Sequence, residues 1–218
     1  MEQYNTKELK YFSNERVDLI KYIPKIKDQK ILEIGAGTCN TLLALKKNGF
    51  ADFVVGVELM VIENSNQNNP SIDDVIIGNI EKIILKYNNF FDVIILGDVL
   101  EHLIDPWTTL KKLKLYLKDD GIIVASIPNF LYYTNLRTIL LDADFKYEDS
   151  GILDKTHLRF FTKKNIINLF QENSMKVTLI TSKFDEEKGK KYFLSKIFKS
   201  LHKFFVTQYY IVASKKGD

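Results

Sequence analysis

The sequence predicts an α/β fold, in which a mostly parallel β-sheet lies between two layers of helices. Short runs rich in Val and Ile alternate with helical stretches, and the runs are apolar on both faces, as buried parallel strands are. Five such runs cover residues 30–34, 53–58, 74–78, 91–97 and 121–127. This alternation implies right-handed crossovers, which place helices on both faces of the sheet.

Capping signals and further periodic stretches complete the predicted order of elements. Residues 6–23 have a helical pattern, and Asn40 or Thr41 can cap a helix that stops at Gly49. Asp105 and Pro106 form an N-cap followed by a first-turn proline. Thr162 can cap a helix that runs to about Asn173, and residues 176–181 and 209–214 are predicted to be the closing strands.

The composition is typical of one globular domain of 218 residues, with 45% hydrophobic and 27% charged residues. A net charge of +3 is too small to indicate a nucleic-acid partner. The single cysteine, Cys39, excludes an intramolecular disulfide and a cysteine-based zinc site. Because the first residues lack the apolar core of a signal peptide and no run reaches membrane-spanning length, we expect a cytoplasmic protein.

Three segments are expected to lie around the main body of the domain. Residues 1–29 form an N-terminal helical segment, residues 128–161 an insertion that covers the substrate, and residues 182–207 a basic amphipathic helical segment. Within the last segment, residues 189–207 have apolar side chains at helical spacing with lysines between them. Such a helix packs on the sheet or beside the substrate mouth, or it contacts an anionic membrane surface.

Two glycines, Gly35 and Gly37, follow the first predicted strand at its carboxyl end. A dinucleotide-binding turn has a third glycine three residues later, where this chain has Asn40. Two glycines alone also fit a tight strand–helix turn without a ligand. Glu33 favours a ligand other than a pyrophosphate, since a carboxylate there can accept a hydrogen bond from an ammonium group or a bound water.

Polar side chains also follow the next three strands. Glu58 closes the second strand, about 20 residues beyond the glycines, at the usual distance for a carboxylate that holds ribose hydroxyls. Asn79 follows the third strand, and its amide can face an adenine edge. Asp98, Glu101 and His102 follow the fourth strand. Because ligands bind at the carboxyl ends of parallel strands, this succession predicts a nucleoside-containing ligand.

The motifs "EIGAGTC", "GVE", "GNIE" and "FDVIILGDVLEHLIDPW" resemble the successive motifs of class I S-adenosylmethionine-dependent methyltransferases. The resemblance covers residues 30–170 and implies a Rossmann-like three-layer αβα sandwich whose seven-stranded sheet has an antiparallel last strand. It also implies S-adenosylmethionine as cofactor. The cofactor-binding residues that follow from it are Glu33, Gly35, Ala36, Gly37, Glu58, Leu59, Asn79, Ile80, Gly97 and Asp98.

Two positions depart from the pattern of that family. Cys39 stands where the family usually has a third glycine, and Asn79 replaces a common Asp. Cysteine is small enough for the turn, and the amide carbonyl of Asn79 keeps one acceptor for the adenine amino group. Both changes are expected to weaken cofactor affinity without removing it.

The stretch "GILDKTHLRFFT", residues 151–162, resembles a bacterial branch associated with O-methylation in surface-polysaccharide biosynthesis and of other small molecules. The expected reaction is methylation of a hydroxyl on a sugar or sugar conjugate. A hydroxyl acceptor needs a proton acceptor, so the predicted catalytic residues are His157, Asp154 and His102. Two roles remain open for His157, a general base oriented by Asp154 or a hydrogen bond that structures the loop.

The motif "DVLEH" resembles a cluster that binds a divalent cation in ubiquinone-pathway O-methyltransferases. Asp98, Glu101 and His102 would then hold a metal that polarises the acceptor oxygen. Because many relatives carry the Leu-Glu-His part without a metal, the prediction is an enzyme without one. The alternatives are a metal-assisted quinone or phenol O-methyltransferase, and a module that binds S-adenosylmethionine without turnover.

Arg137 and Arg159 are two of only three arginines, and both fall in segments expected to cover the acceptor. The guanidinium group binds carboxylate or phosphate bidentately, which an ammonium group does not. The predicted partner is therefore a small-molecule acceptor that is anionic, such as a nucleotide-linked sugar or a uronic acid. A salt bridge from Arg159 to Asp154 or Glu148 is the structural alternative.

Overall fold

The computed structural model describes residues 15–187 and 199–215, which build a seven-stranded sheet in the order β3-β2-β1-β4-β5-β7-β6. All seven predicted strands form, and this fold class is confirmed. The strands are β1 (Lys30–Ile34), β2 (Phe53–Glu58), β3 (Asp74–Ile77), β4 (Phe91–Gly97), β5 (Leu117–Pro128), β6 (Met175–Thr181) and β7 (Gln208–Lys215).

The strand order determines where a ligand can bind. Strands β1 to β5 pair in parallel, whereas β7 is antiparallel to both β5 and β6. The chain passes from β1 outward to β2 and β3, and then returns to the other side of β1 as β4. This reversal separates the connections that follow β1 and β4, which opens a crevice at their carboxyl ends.

Two apolar layers cover the two faces of the sheet. Leu32 and Leu96 point into one layer, where they pack with Leu110 and Leu169 from helices. Ile31 points into the opposite layer with side chains of two other helices, namely Leu19, Leu42 and Leu45. Because successive side chains of a strand alternate between faces, the continuous apolar runs of the sequence supply both layers.

The helices are short, and several of them begin or end close to the boundaries that the sequence predicts. The α-helices are Val17–Ile20, Asn40–Lys47, Pro106–Tyr116, Tyr133–Leu141, Lys163–Glu172 and Lys183–Glu187, and the 3-10 helices are Leu100–His102 and Lys199–Phe204. Asp105 caps its helix by accepting a hydrogen bond from the Thr108 N–H at 3.0 Å, as predicted. Thr162 forms a reciprocal capping box with Asn165.

The helix after β1 differs from the prediction at its first turn. Its N-cap is Cys39, in the left-handed conformation with φ of 63°, rather than Asn40 or Thr41. Thr41 is inside the helix, and its Oγ1 accepts the backbone N–H of Arg16 at 3.2 Å. The predicted N-caps are therefore wrong by one or two residues. The Thr41 hydroxyl accepts a hydrogen bond from a residue distant in sequence instead of capping the helix.

The predicted N-terminal helix of residues 6–23 is also shorter where the structure describes it. Residues 6–14 lie outside the described part of the chain, and the helix within the rest ends at Ile20. A turn follows before Pro24, and a proline disfavours helical conformation in the residue before it. The connections 59–73 and 78–90 contain no helix, which fits their many asparagines.

The segment of residues 182–207 is only partly described. Residues 188–198 lie outside the described part, and on either side of them are the helix Lys183–Glu187 and the 3-10 helix Lys199–Phe204. Among the described residues, no helix has the length and apolar character needed to cross a bilayer.

Replacing Thr162 by Ala is expected to lower the free energy of unfolding by about 1 kcal/mol, because the first turn of its helix loses the side-chain acceptor of its cap. Urea denaturation of the purified protein measures this change. Lys164→Ala, on an exposed position of the same helix, is the control and is expected to change the stability by less than about 0.5 kcal/mol. Equal effects of the two variants would contradict the capping role.

Candidate functional site

A cleft of about 660 Å³ opens at the carboxyl ends of β1, β2 and β4. All the residues predicted to bind a cofactor line it, although they come from four separate strand ends. They are Glu33, Gly35, Ala36, Gly37, Glu58, Leu59, Asn79, Ile80, Gly97 and Asp98. The order of the strands brings these positions together, since each strand of the parallel part ends at the same edge of the sheet.

The loop after β1 is tied to β2 and leaves no space for a side chain at its first glycine. Gly35 has φ of 71°, and a Cβ there would lie 2.9 Å from the Cγ2 of Val99. The Gly35 N–H donates to the Val57 carbonyl at 2.9 Å, and the Gly37 N–H donates to the Glu58 carboxylate at 2.8 Å. Glycine therefore lets this backbone approach both β2 and the cleft.

Glu33 is the buried carboxyl group at the end of β1, with 3% of its surface exposed. Its Oε2 has no hydrogen-bond partner among the described residues. Burial raises the pKa of Glu33 to about 8, which a hydrogen bond from Thr41 and the charge of Arg16 only partly offset. An acceptor without a partner is costly in a protein interior, so this oxygen is suited to a ligand donor.

Glu58 and Asn79 lie at the next two strand ends. The two carboxylate oxygens of Glu58 accept the N–H groups of Gly37 and Leu59, at 2.8 and 2.6 Å. Burial nevertheless raises the pKa of Glu58 above its ordinary value. Asn79 Oδ1 accepts the Glu81 N–H at 2.8 Å, which fixes the turn after β3. Both side chains are thus held in position by the backbone around them.

Arg16 is a cleft residue that the sequence analysis did not assign. Its guanidinium donates to both oxygens of Asp18 at 3.0 and 2.9 Å, to Asp98 at 3.0 Å and to the Ser126 hydroxyl at 2.8 Å. A Cβ on Gly97 would lie 2.6 Å from its Nη1, so glycine makes room for it. The available signal was that Arg16 is one of only three arginines in a lysine-rich chain.

Negative charge predominates in the cleft. Its described lining contains six carboxyl groups, from Glu15, Asp18, Glu33, Glu58, Glu81 and Asp98, and one guanidinium, from Arg16. Burial opposes the charge of Arg16, but the hydrogen bond that Arg16 donates to Asp18 and the charges of Asp18 and Asp98 outweigh this effect and raise the Arg16 pKa. A surplus of carboxylates favours a cationic ligand and disfavours a pyrophosphate.

Two histidines are in contact beside the cleft. The rings of His102 and His157 are in edge-to-face contact, with centroids 4.6 Å apart. His102 lines the cleft, whereas His157 is 9% exposed and is not part of the described lining. Each ring is oriented by a backbone carbonyl, since Nδ1 of His102 lies 3.1 Å from the Thr156 oxygen and Nδ1 of His157 lies 2.9 Å from the Ile152 oxygen.

The remaining predicted site residues lie outside the described lining of the cleft. Asp154 is buried, and its Oδ1 accepts the N–H and the hydroxyl of Thr156 at 2.8 and 2.7 Å. Arg159 is exposed, donates to the Ile104 carbonyl and lies 6.0 Å from the ring of Trp107. Arg137 is exposed on the helix Tyr133–Leu141.

Residues 4–179 match the family described as "Methyltransferase domain". The match covers most of the chain and includes the carboxyl ends of β1 to β4, which line the cleft. This chain belongs to the class I S-adenosylmethionine-dependent methyltransferases. It is therefore an enzyme whose cofactor is S-adenosylmethionine.

Solved structures similar to this methyltransferase share its fold at low sequence identity. An S-adenosylmethionine-dependent methyltransferase from Mesorhizobium loti is 13% identical, with a TM-score of 0.65 over 90% of this chain and 95% of that one. A putative one from Listeria monocytogenes is 15% identical, with a TM-score of 0.65 over 95% and 99%. The [4+2]-cyclase SpnF is 13% identical, with a TM-score of 0.62 over 91% and 78%.

A comparison with curated proteins gives no match to this methyltransferase. The cleft fits the cofactor, because S-adenosylmethionine carries a sulfonium and an ammonium group against one carboxylate. A net positive ligand suits a lining with a surplus of carboxyl groups, and the ammonium group suits the buried Oε2 of Glu33.

The protein without cofactor is expected to lose stability as the pH rises from 5 to 8. Folded Glu33 keeps its proton up to a pKa of about 8, while the ordinary value is 4.5, so the native state binds more protons in this window. The free energy of unfolding then falls with pH, by up to about 1.4 kcal/mol per pH unit for this group. Urea denaturation at pH 5, 6, 7 and 8 measures the slope.

Glu33→Gln removes this titration, so its slope is expected to be flatter than that of the wild type. Glu172→Gln, at an exposed position, is the matched control and is expected to keep the wild-type slope. A wild-type slope in Glu33→Gln would show that Glu33 does not hold its proton in the folded protein.

Proposed function

We propose that this methyltransferase transfers a methyl group to a hydroxyl of a sugar or sugar conjugate. The observation that carries the proposal is the pair of histidines beside the cleft, with ring centroids 4.6 Å apart and one of the two, His102, in the lining. A carboxylate acceptor needs no base, whereas a hydroxyl must lose a proton as it is methylated. Residues 151–162 resemble a branch that O-methylates polysaccharide precursors and other small molecules, and this resemblance supports a sugar as the acceptor.

The cofactor is proposed to lie along the strand ends. Glu33 accepts a hydrogen bond from its ammonium group, and Gly35 to Gly37 follow its methionine part. The carboxylate of Glu58 binds the ribose hydroxyls with the lone pairs that its two backbone contacts leave available. Asn79 and Ile80 flank the adenine. When bound, the cofactor supplies an electrophilic methyl group on a sulfonium sulfur.

His157, Asp154 and His102 are proposed to act on the acceptor hydroxyl. His102 lines the cleft, so its imidazole is the one placed to take the proton of the acceptor hydroxyl. The ring of His157 packs edge-to-face against His102 and holds it in position. Asp154 holds the loop of His157 by accepting two hydrogen bonds from Thr156. The three residues thus form one proton-accepting and loop-ordering group.

The segment of residues 128–161 is proposed to cover the acceptor. The two ends of this segment are joined by a hydrogen bond, because the Phe130 N–H donates to the Phe161 carbonyl at 2.9 Å. Between them lie both candidate arginines, Arg137 and Arg159, on exposed positions. An anionic acceptor, such as a nucleotide-linked sugar or a uronic acid, would bind to these guanidinium groups.

A phenol is a second candidate acceptor, because the mouth of the cleft is apolar. Ile104 and Leu158 line the cleft with more than half of their surfaces exposed, at 62% and 52%, and Trp107 is close by with 42% exposed. Exposed apolar side chains around a cleft can cover an aromatic ring. A quinone-type or phenol-type O-methyltransferase would use this surface.

Calorimetry followed by a methyl-release assay tests the proposal. S-adenosylmethionine and S-adenosylhomocysteine are expected to bind, and NAD is not. Turnover is then expected with nucleotide-linked sugars or uronic acids and not with catechols or hydroxybenzoates. Turnover with phenols alone would replace the sugar proposal by the second candidate, and binding without turnover on either panel would contradict both.

Arg137→Lys and Arg159→Lys are each expected to raise the acceptor KM, by up to about tenfold, because Lys keeps the charge but loses the planar pair of donors. S-adenosylhomocysteine affinity is expected to stay unchanged. Arg16→Lys is the contrasting control, since Arg16 lines the cofactor cleft and its loss is expected to weaken cofactor binding. Normal acceptor KM in both Arg137→Lys and Arg159→Lys would rule out the anion-binding role.

A further inference from the structure

The turn of residues 79–83 supplies one wall of the cleft, although it belongs to no helix or strand. Three of its residues, Asn79, Ile80 and Glu81, line the cleft. The Asn79 carbonyl accepts the backbone N–H groups three and four residues later, both at 2.9 Å, and these bonds close the turn. Because no strand or helix includes the turn, its position depends on contacts from other parts of the chain.

Lys112 reaches this turn from the helix Pro106–Tyr116. Its ammonium group donates to the carbonyl oxygens of Ile80 and Ile83, the second at 2.9 Å. No other described residue donates a hydrogen bond to either oxygen. An ammonium group has three donors and no acceptor, so one side chain can hold the turn at two points.

The position of the Lys112 side chain is unusual for a lysine. Lys112 is half-buried, and burial lowers its pKa, which the charge of Glu81 offsets only in part. A lysine on a protein surface usually keeps its ammonium group in water, because desolvation disfavours the charged form. Here the two carbonyl oxygens replace part of the lost water.

The same helix holds the turn at a second place, through its N-cap. The N–H of Asp105 donates to Oε1 of Glu81 at 2.8 Å. Lys112 follows Asp105 by seven residues, so the two contacts lie about two helical turns apart. The turn is therefore fastened to one element at two separate points.

One peptide unit connects Lys112 to the Asn79 side chain. The carbonyl of the peptide between Ile80 and Glu81 accepts from Lys112, and the N–H of the same peptide donates to Oδ1 of Asn79 at 2.8 Å. A peptide unit is planar and rigid, so the direction of its carbonyl fixes the direction of its N–H. The bond from Lys112 thus fixes the acceptor side of the Asn79 amide.

We propose that Lys112 is a positioning residue for the cofactor, because it orients the peptide that holds the Asn79 side chain. Lys112 is not part of the described lining of the cleft, so it acts through the turn. The inference rests on the proposed placement of the adenine beside Asn79 and Ile80. It does not depend on which acceptor the enzyme methylates.

Loss of the ammonium group would leave both carbonyl oxygens without their donor and give the turn more conformational freedom. Binding of the adenosine part would then have to restrict that freedom, which lowers affinity. The loss is expected for each ligand that carries the adenosine part, whether or not it carries the amino-acid part.

Calorimetry of the full-length protein with S-adenosylhomocysteine and with 5′-methylthioadenosine tests this role. Both probes carry the adenosine part, and only the first carries the amino-acid part. Lys112→Met is expected to weaken binding of both by the same factor, about tenfold. Lys112→Arg keeps the charge and several donors, and it is expected to restore affinity to within about threefold of the wild type.

Lys111→Met is the matched control. Lys111 is exposed at the neighbouring position of the same helix, and its replacement changes the net charge by the same amount. Wild-type affinity for both probes is expected. Urea denaturation shows whether each variant is folded at the temperature of the titration. If Lys112→Met is not folded, Lys112→Gln is measured in its place.

Wild-type affinity of the folded Lys112→Met protein for both probes overturns the inference. An equal loss in Lys111→Met, or a loss in Lys112→Arg as large as in Lys112→Met, also overturns it. A loss limited to S-adenosylhomocysteine would place the turn at the amino-acid part of the cofactor and would contradict the adenine placement. Because no acceptor is present in these titrations, a failure of the sugar proposal in the methyl-release assay is a separate result.

Discussion

The accumulation of carboxyl groups at the carboxyl edge of the sheet is the constraint on which the site depends. Glu33 and Glu58 end neighbouring strands, and burial raises the pKa of both. Arg16 offsets part of this charge from the N-terminal side, through ion pairs with Asp18 and Asp98. The remaining surplus of carboxyl groups makes the cleft suited to a ligand with a net positive charge.

Asp98 is a charged residue of the cleft that also connects several elements of the fold. Asp98 has φ of 56°, an uncommon conformation for a residue with a side chain, and its carboxylate bonds to β5 through Ser126 and to β7 through Gln208. Arg16 adds the N-terminal segment to the same group. One carboxylate thus joins four parts of the chain around one wall of the cleft, and Gly97 beside it leaves space for the guanidinium.

The surroundings of His102 and His157 are built from two loops that meet only in the tertiary structure. The carbonyl of Glu101 accepts two backbone N–H groups from the loop of His157, and Arg159 donates in return to the Ile104 carbonyl. These contacts bring His102 and His157 together and bury Glu101, whose carboxylate oxygens have no hydrogen-bond partner among the described residues. The position of this histidine pair therefore depends on main-chain hydrogen bonds between loops.

The sequence by itself determined the strands, their carboxyl-end residues and the caps at Asp105 and Thr162, because these follow from local apolar runs and from side chains that bond within three residues. It also determined the strand-end positions that line the cleft, since parallel strands must end at one edge. Only the tertiary structure decided the cap at Cys39, the place of Arg16 and the contact between His102 and His157. Each of these features depends on contacts between residues distant along the chain, and no local sequence pattern specifies which distant residues will be in contact.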